Sequence, residues 1–340
     1  MSESTTQNYN HLKIHSQYSI CEGAIKIDDL KEFSKTNKIQ SLGLSDTTNL
    51  CGALEFAEKI SKVGTQPIIG TQINFKFSDT VGLLPLFALD EEGYKRIIKL
   101  SSFSFLNNDE LSEPHLDFNE LLEDTHGVAI LSGTIFGLFG QLFDKGKFTE
   151  IKDLYNKLKE KFGDRFYLEI QRHNDQNELS FEKFNLNKSL ELSIPLIATN
   201  EVFYLNKDMH EAHDALICIG RKTYINDKTR KRYSDQHYLK SNLEMAELFS
   251  DLPEALENNY NFPLRCNFRP LFSNPILPNI SSEKGGNADD ILRKDSLHGL
   301  KDKFHKVFGI KNNEIENNNI FLEYKDRLDH ELSIIIEMKY

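Results

Sequence analysis

From Asn10 to about Leu205 the chain alternates short apolar runs with stretches whose apolar residues fall three and four apart. That alternation limits the possible folds more than any other feature. The runs predict strands at His11–Tyr18, Ser41–Ser45, Pro67–Phe77, Leu83–Leu89, Gly127–Ser132, Arg165–Gln171 and Ile194–Thr199. Between them, Leu30 and Phe33 follow Asp28 and Asp29 as N-cap candidates, and Tyr94, Ile97 and Ile98 share one face of 91–103. Segments 147–162 and 179–192 are also helical in spacing. Runs such as VAIL (128–131) and IPLIAT (194–199) are continuous, as in strands covered by helices on both faces. Phe77–Ser78–Asp79–Thr80 separates two runs as a hairpin turn would, so at least one strand pair is expected to be antiparallel. The whole pattern predicts an α/β fold, a distorted seven-stranded (β/α) barrel in preference to an open sheet.

After Leu205 the spacing becomes helical over 207–220, 242–250 and 252–260. Asn274–Asn287, with Pro275, Pro278 and Gly285-Gly286, reads as a linker, followed by helices over 288–308 and 320–338. The expected organisation is a barrel domain with a helical extension over 1–273, a linker over 274–287 and a further region over 288–340. Tyr324, Leu328, Leu332 and Ile335 keep helical spacing up to the last residues with no cap or breaker, which predicts a chain cut short.

Charge narrows the function classes. Lys and Arg number 41 against 52 Asp and Glu, a net charge of −11, and proteins that grip a duplex do so with clustered cations. The balance argues for protein partners or a role away from DNA. No apolar run is long enough to span a membrane, and the polar start MSESTTQNYN is no signal peptide. Cys21, Cys51, Cys218 and Cys266 are scattered and read as reduced thiols of a cytoplasmic protein.

In an α/β barrel the ligands come from the C-terminal ends of the strands. Those ends offer His11, Lys13, His15 and Glu22, then Ser45-Asp46-Thr47, Gln72, His173, and Asn200-Glu201. Positions 11, 13 and 15 share a face, where a metal site wants a His-x-His pair. Position 13 is Lys, whose ammonium repels a cation; His15 remains either a remnant ligand or a hydrogen-bonded polar residue. His210 and His213 lack the spacing of a metal-binding helix pair and read as surface plus packing. The basic stretch Arg221, Lys222, Lys228, Arg230, Lys231 and Arg232, with Tyr224 and Tyr233 interleaved, reads as a charged loop that phosphates or an acidic partner could contact.

The segment HLKIHSQYSICEGA (11–24) resembles the opening of the polymerase-and-histidinol-phosphatase (PHP) domain of the bacterial DNA polymerase III alpha family, which begins HLxxHSxYSxxDGA. The resemblance continues in order through LGLSDTTNLCGALEF (42–56), QPIIGTQINF (66–75), GVAILSG (127–133), DRFYLEIQRH (164–173), IPLIATNEVFYL (194–205) and AHDALICIG (212–220). RYSDQHYLKSNLEMAELFSDLPEALEN (232–258) is similar to a replicase segment outside the barrel, and YKDRLDHELSIIIEMKY (324–340) to the helix that leads into the polymerase palm.

The resemblance implies a PHP-type barrel followed by the start of a truncated palm. It places metal ligands at His15, Glu22, His173 and Glu201. It also marks Lys13, Thr47, Gln72, Leu83 and Phe203 as positions where the family's ligands are lost. Zn2+ or Mn2+ is therefore not expected in the PHP site, and the Mg2+ of the full-length polymerase belongs to a palm beyond this chain. The implied role is a non-catalytic module of the subunit that carries out template-directed DNA synthesis. That module would support the polymerase and dock the proofreading exonuclease beside other replicase subunits, with DNA held by downstream domains. The alternative is a metal-dependent PHP phosphoesterase or 3'-5' exonuclease.

Overall fold

The structure, a computed structural model, describes residues 9–108, 112–230, 232–275, 287–310 and 312–338. Its chain divides into two compact units, Met1–Phe272 and Ser273–Tyr340. Residues 276–286 of the expected linker, Lys231 and the last two residues lie outside the described residues.

In the first unit the strands are β1 Lys13–Ile14, β2 Ser41–Thr47, β3 Gln66–Phe77, β4 Thr80–Ala88, β5 Leu116–Asp117, β6 Val128–Leu131, β7 Phe166–Ile170, β8 Leu196–Ala198 and β9 Glu201–Val202. The helices are α1 Ile27–Asn37, α2 Ala53–Ser61, α3 Glu91–Leu106, α4 Phe118–Glu123, α5 Leu138–Asp144, α6 Phe148–Phe162, α7 Glu178–Leu192, α8 His210–Gly220, α9 Asn242–Leu248 and α10 Pro253–Asn261. The main sheet runs β2-β3-β4-β6-β7-β8, with β5 added beside β3, while β1 and β9 pair parallel as a separate ribbon. The Gly43 amide donates to the His11 carbonyl at 2.7 Å, tying that ribbon to β2. The architecture is the expected mixed α/β fold, built around a curled half-barrel sheet of seven strands.

The β3–β4 pair is antiparallel, with Phe77 opposite Thr80 across a turn in which Ser78 takes φ +55. β6 and β7 are buried at every residue, with Ile130, Phe166 and Leu168 against helices and Ala129, Leu131 and Tyr167 against Ile68, Phe87 and Ile197 of other strands. Ile73, Phe75, Leu84, Leu86, Ile130, Phe166 and Leu168 join Phe139, Leu154 and Leu158 in the largest core cluster. Each such side chain contributes about 1.5–3 kcal/mol when fully buried.

Two local expectations change. The first predicted strand shrinks to Lys13–Ile14, because the chain turns where Ser16 hydrogen-bonds Asp46 and Ser19 donates back to the Ser16 carbonyl. Asp28 and Asp29 lie inside the first turn of α1, and Lys26 occupies the N-cap without a side-chain bond. Their carboxylates face the positive end of the helix dipole instead of capping it.

In the second unit α11 (Ala288–Phe308), α12 (Asn312–Ile315) and α13 (Asn319–Glu337) enclose a small core of Phe304, Ile315 and Phe321. On α13, Leu332 is buried whereas Tyr324 and Ile335 remain exposed.

The close approach of β1 and β2 depends on the missing side chain of Gly43. A Cβ there would press on the Leu12 carbonyl and lie 2.6 Å from the Leu12 Cα. Gly43→Ala is expected to lower stability by about 1–3 kcal/mol in urea unfolding. An unchanged midpoint would mean that β1 does not pack on β2 in this way.

Candidate functional site

The register of the β1–β9 ribbon places Lys13 directly opposite Glu201. Cross-strand neighbours on one face are within side-chain reach, and the Lys13 ammonium donates to Glu201 Oε2 at 2.7 Å. It also lies 3.1 Å from Oε1 of Glu169 on β7. All three side chains are buried. Burial by itself would pull the Lys13 pKa down, but the attraction of Glu169 and Glu201 outweighs it and leaves it raised.

The two acids respond in opposite directions. Burial pushes Glu201 up, yet Lys13 and His15 overcome this and hold it well below the usual carboxylate range. Burial keeps Glu169 above that range despite Lys13, and its Oε2 has no hydrogen-bond partner among the described residues. Glu201 is the better satisfied because His15 Nε2 donates to its Oε1 at 2.6 Å and the Gln72 amide donates to the same oxygen. Burial lowers the His15 pKa and the bond to Glu201 more than compensates, so the imidazole is raised.

The remaining expected positions surround this network. The Thr47 hydroxyl donates to Glu22 Oε2, which lies 3.8 Å from His15 Nδ1. The Phe203 ring lies 4.6 Å from the His15 ring at 35° and fills the space beside it. Leu83 lines the same cavity, about 260 Å3, together with His15, Glu22, Thr47, Gln72 and Glu201. Asp46 faces away, accepting bonds from the Ser16 amide at 2.7 Å and the Ser16 and Ser19 hydroxyls. It therefore organises the turn after β1.

His173 is placed elsewhere. Its Nε2 lies 3.0 Å from Asn200 Oδ1 and accepts from the Glu201 amide at 3.2 Å. Its Nδ1 lies 3.3 Å from Glu178 Oε1. Burial and the neighbouring His237 hold its pKa well below the ordinary value. His173, Asp175 and His237 offer ligand atoms within 4.8 Å of one another, the one such group among the described residues. The two imidazoles, however, are stacked with centroids 4.0 Å apart and planes within 2°. An ion must lie in the plane of each ring that ligates it, and two separated parallel planes share no point. As arranged, these rings cannot hold one ion together.

Neither location fits a PHP metal cluster. At the first, an ammonium already stands between the carboxylates that a cation would need. At the second, the ring geometry is wrong. His210 and His213 each meet a backbone carbonyl, of Tyr233 and Glu22 respectively, and serve packing.

Sequence reasoning missed Glu169, Asp175 and His237. Glu169 had a signal, a lone acid inside the buried run FYLEI, since charged residues are almost never fully buried unless paired. Asp175 and His237 are 62 positions apart, and no spacing rule links them.

The PHP-domain family model matches residues 11–173. DNA polymerase III subunit alpha of Rickettsia conorii is 39% identical over 332 residues, covering 97% of this chain and 28% of that protein. The Caulobacter vibrioides subunit is 35% identical over 100% of this chain and 30% of its own length. Among solved structures, a protein described as a metal-dependent phosphoesterase from Bifidobacterium adolescentis overlaps 56% of this chain and 86% of its own. It does so at 11% identity with a TM-score of 0.39, too loose a likeness to inform the site. The chain spans about 28% of the length of the curated relative from Rickettsia conorii. The chain carries a PHP domain and corresponds, over 97% of its length, to the N-terminal PHP region of DNA polymerase III alpha subunits.

Proposed function

We propose that the chain is a non-catalytic PHP module of a replicative DNA polymerase alpha subunit, and that it supports the polymerase and docks a proofreading exonuclease. The observation that carries this reading is Lys13, whose ammonium stands between Glu169 and Glu201 where a metal-dependent phosphoesterase would need a cation. A water-activating centre requires a metal with an open coordination position, and here the carboxylates are already neutralised by a protein side chain. His15, Glu22 and Glu201 act as members of a hydrogen-bond network that holds the strand ends together, and His173 supports the Asn200–Glu201 backbone. Template-directed synthesis, with its Mg2+ and its grip on DNA, belongs to the full-length subunit, as does assembly with other replicase subunits. The lost ligand positions Lys13, Thr47, Gln72, Leu83 and Phe203 support the same reading. The 1–273, 274–287 and 288–340 organisation follows from it, with the last region entering the palm.

Two measurements test the assignment. Purified metal-free chain is expected to release neither phosphate from phosphomonoesters nor nucleotides from 3' ends when Zn2+, Mn2+ or Mg2+ is added. Stoichiometric metal uptake together with metal-dependent hydrolysis would establish the phosphoesterase or exonuclease reading in its place. Lys13→Met leaves two buried carboxylates without their cation and is expected to cost about 3–5 kcal/mol in chemical unfolding. By comparison, Lys62→Met removes an exposed pair with Glu58 and is expected to change stability by less than about 1 kcal/mol. Equal effects of the two substitutions would remove Lys13 from its proposed role.

A further inference from the structure

The most unusual surface lies at the rim of the cavity, where an ordered loop displays apolar side chains that do nothing for the fold. Ile20, Ile219, Tyr224 and Ile225 are 85%, 71%, 84% and 60% exposed. The turn containing Ile20 and the end of α8 are neighbours, because a Cβ on Gly220 would lie 2.6 Å from the Cβ of Cys21. The loop that follows is built, not slack. Thr223 donates to the Cys218 carbonyl and Asp227 to that of Tyr224. Arg230 forks onto Asp214 with two bonds of 2.6 Å, both side chains being nearly buried, and also donates to the Ile225 carbonyl at 3.3 Å. A bidentate, buried Arg–Asp pair is among the firmest local anchors a loop can have. Here it holds an exposed tyrosine and isoleucine in place.

Cations surround these residues on a chain whose net charge is −11. Lys222 and Lys228 are exposed and have no ion-pair partner among the described residues, and Arg221 lies over the Tyr233 ring while also lining the cavity. Clustered exposed apolar side chains with a charged rim mark interaction surfaces. We propose that Ile20, Ile219, Tyr224 and Ile225, rimmed by Arg221, Lys222 and Lys228, form the docking surface for a protein segment that carries apolar side chains among acidic ones. The proposal rests on the reading that the chain recruits a partner protein. Three aliphatic side chains beside one aromatic favour protein over single-stranded nucleic acid, which is gripped by several stacked aromatics along a cationic groove. A partner seated here reaches the edge of the cavity, since Arg221 belongs to both.

The test titrates the chain with the purified proofreading exonuclease subunit of the same organism by isothermal calorimetry at low and high salt, with a single-stranded oligonucleotide as a second titrant. Tyr224→Ala combined with Ile225→Ser is expected to weaken exonuclease binding by about tenfold or more, with thermal unfolding unchanged because both side chains are exposed. Lys222→Glu combined with Lys228→Glu is expected to weaken it several-fold, and more at low salt than at high. Wild-type affinity in both variants overturns this surface while leaving recruitment intact. Oligonucleotide binding that is lost in these same variants, with exonuclease binding kept, assigns the face to nucleic acid and also overturns the proposal. No binding of the exonuclease to the unaltered chain removes the recruitment reading and the proposal with it.

Discussion

One buried ammonium ties together the mouth of the sheet. Lys13 enters from β1, Glu201 from β9 and Glu169 from β7, so strands far apart in the sequence meet at a single charge. Two carboxylates this deeply buried would repel each other and would take up protons without a cation between them. The ammonium makes their burial tolerable, and His15 and Gln72 satisfy the oxygen of Glu201 that faces the cavity. The geometry of the surrounding side chains follows from this arrangement. Phe203 packs beside His15, Thr47 holds Glu22, and Asp46 is left to organise the turn after β1.

The ammonium also determines what chemistry the cavity can support. A metal cluster activates water by concentrating positive charge at an open coordination position. A lysine amine supplies one positive charge, directs its protons at fixed acceptors and leaves no coordination position free. The stacked His173–His237 pair behaves in a comparable way. Its ring nitrogens are engaged by Asn200, Glu178, Asp175 and the Glu201 backbone, so it stiffens the β8–β9 junction. Both clusters support strand ends, and the apolar, basic-rimmed surface at the cavity edge gives the same region an outward face.

Much of the scaffold could be read in advance because burial and periodicity are local properties. VAIL and FYLEI are buried at every position, and Phe77–Thr80 turns where a Ser-Asp pair was expected to turn it. The N-terminal edge of α1 was less legible, since an Asp near a helix start can cap the helix or sit one turn inside it, and neighbouring packing selects between these. How the first strand joins the sheet was not legible either. The ribbon of β1 and β9 pairs with itself and reaches β2 through Gly43, a contact that depends on a missing side chain and not on any periodic pattern.

The sequence alone determined the α/β alternation, the antiparallel hairpin, the acidic surface and the presence of Lys at position 13. It did so because each of these depends on residue type at neighbouring positions. Only the tertiary structure decided which acids that lysine serves. Glu169 lies 156 residues from Lys13 and Glu201 lies 188, and no local rule fixes such a meeting. It decided also that His173 and His237 stack instead of converging, and that Cys21 stands beside Gly220 at the cavity rim. Those outcomes depend on how strands and loops distant in the chain are brought together, which backbone register and close packing set and residue spacing does not.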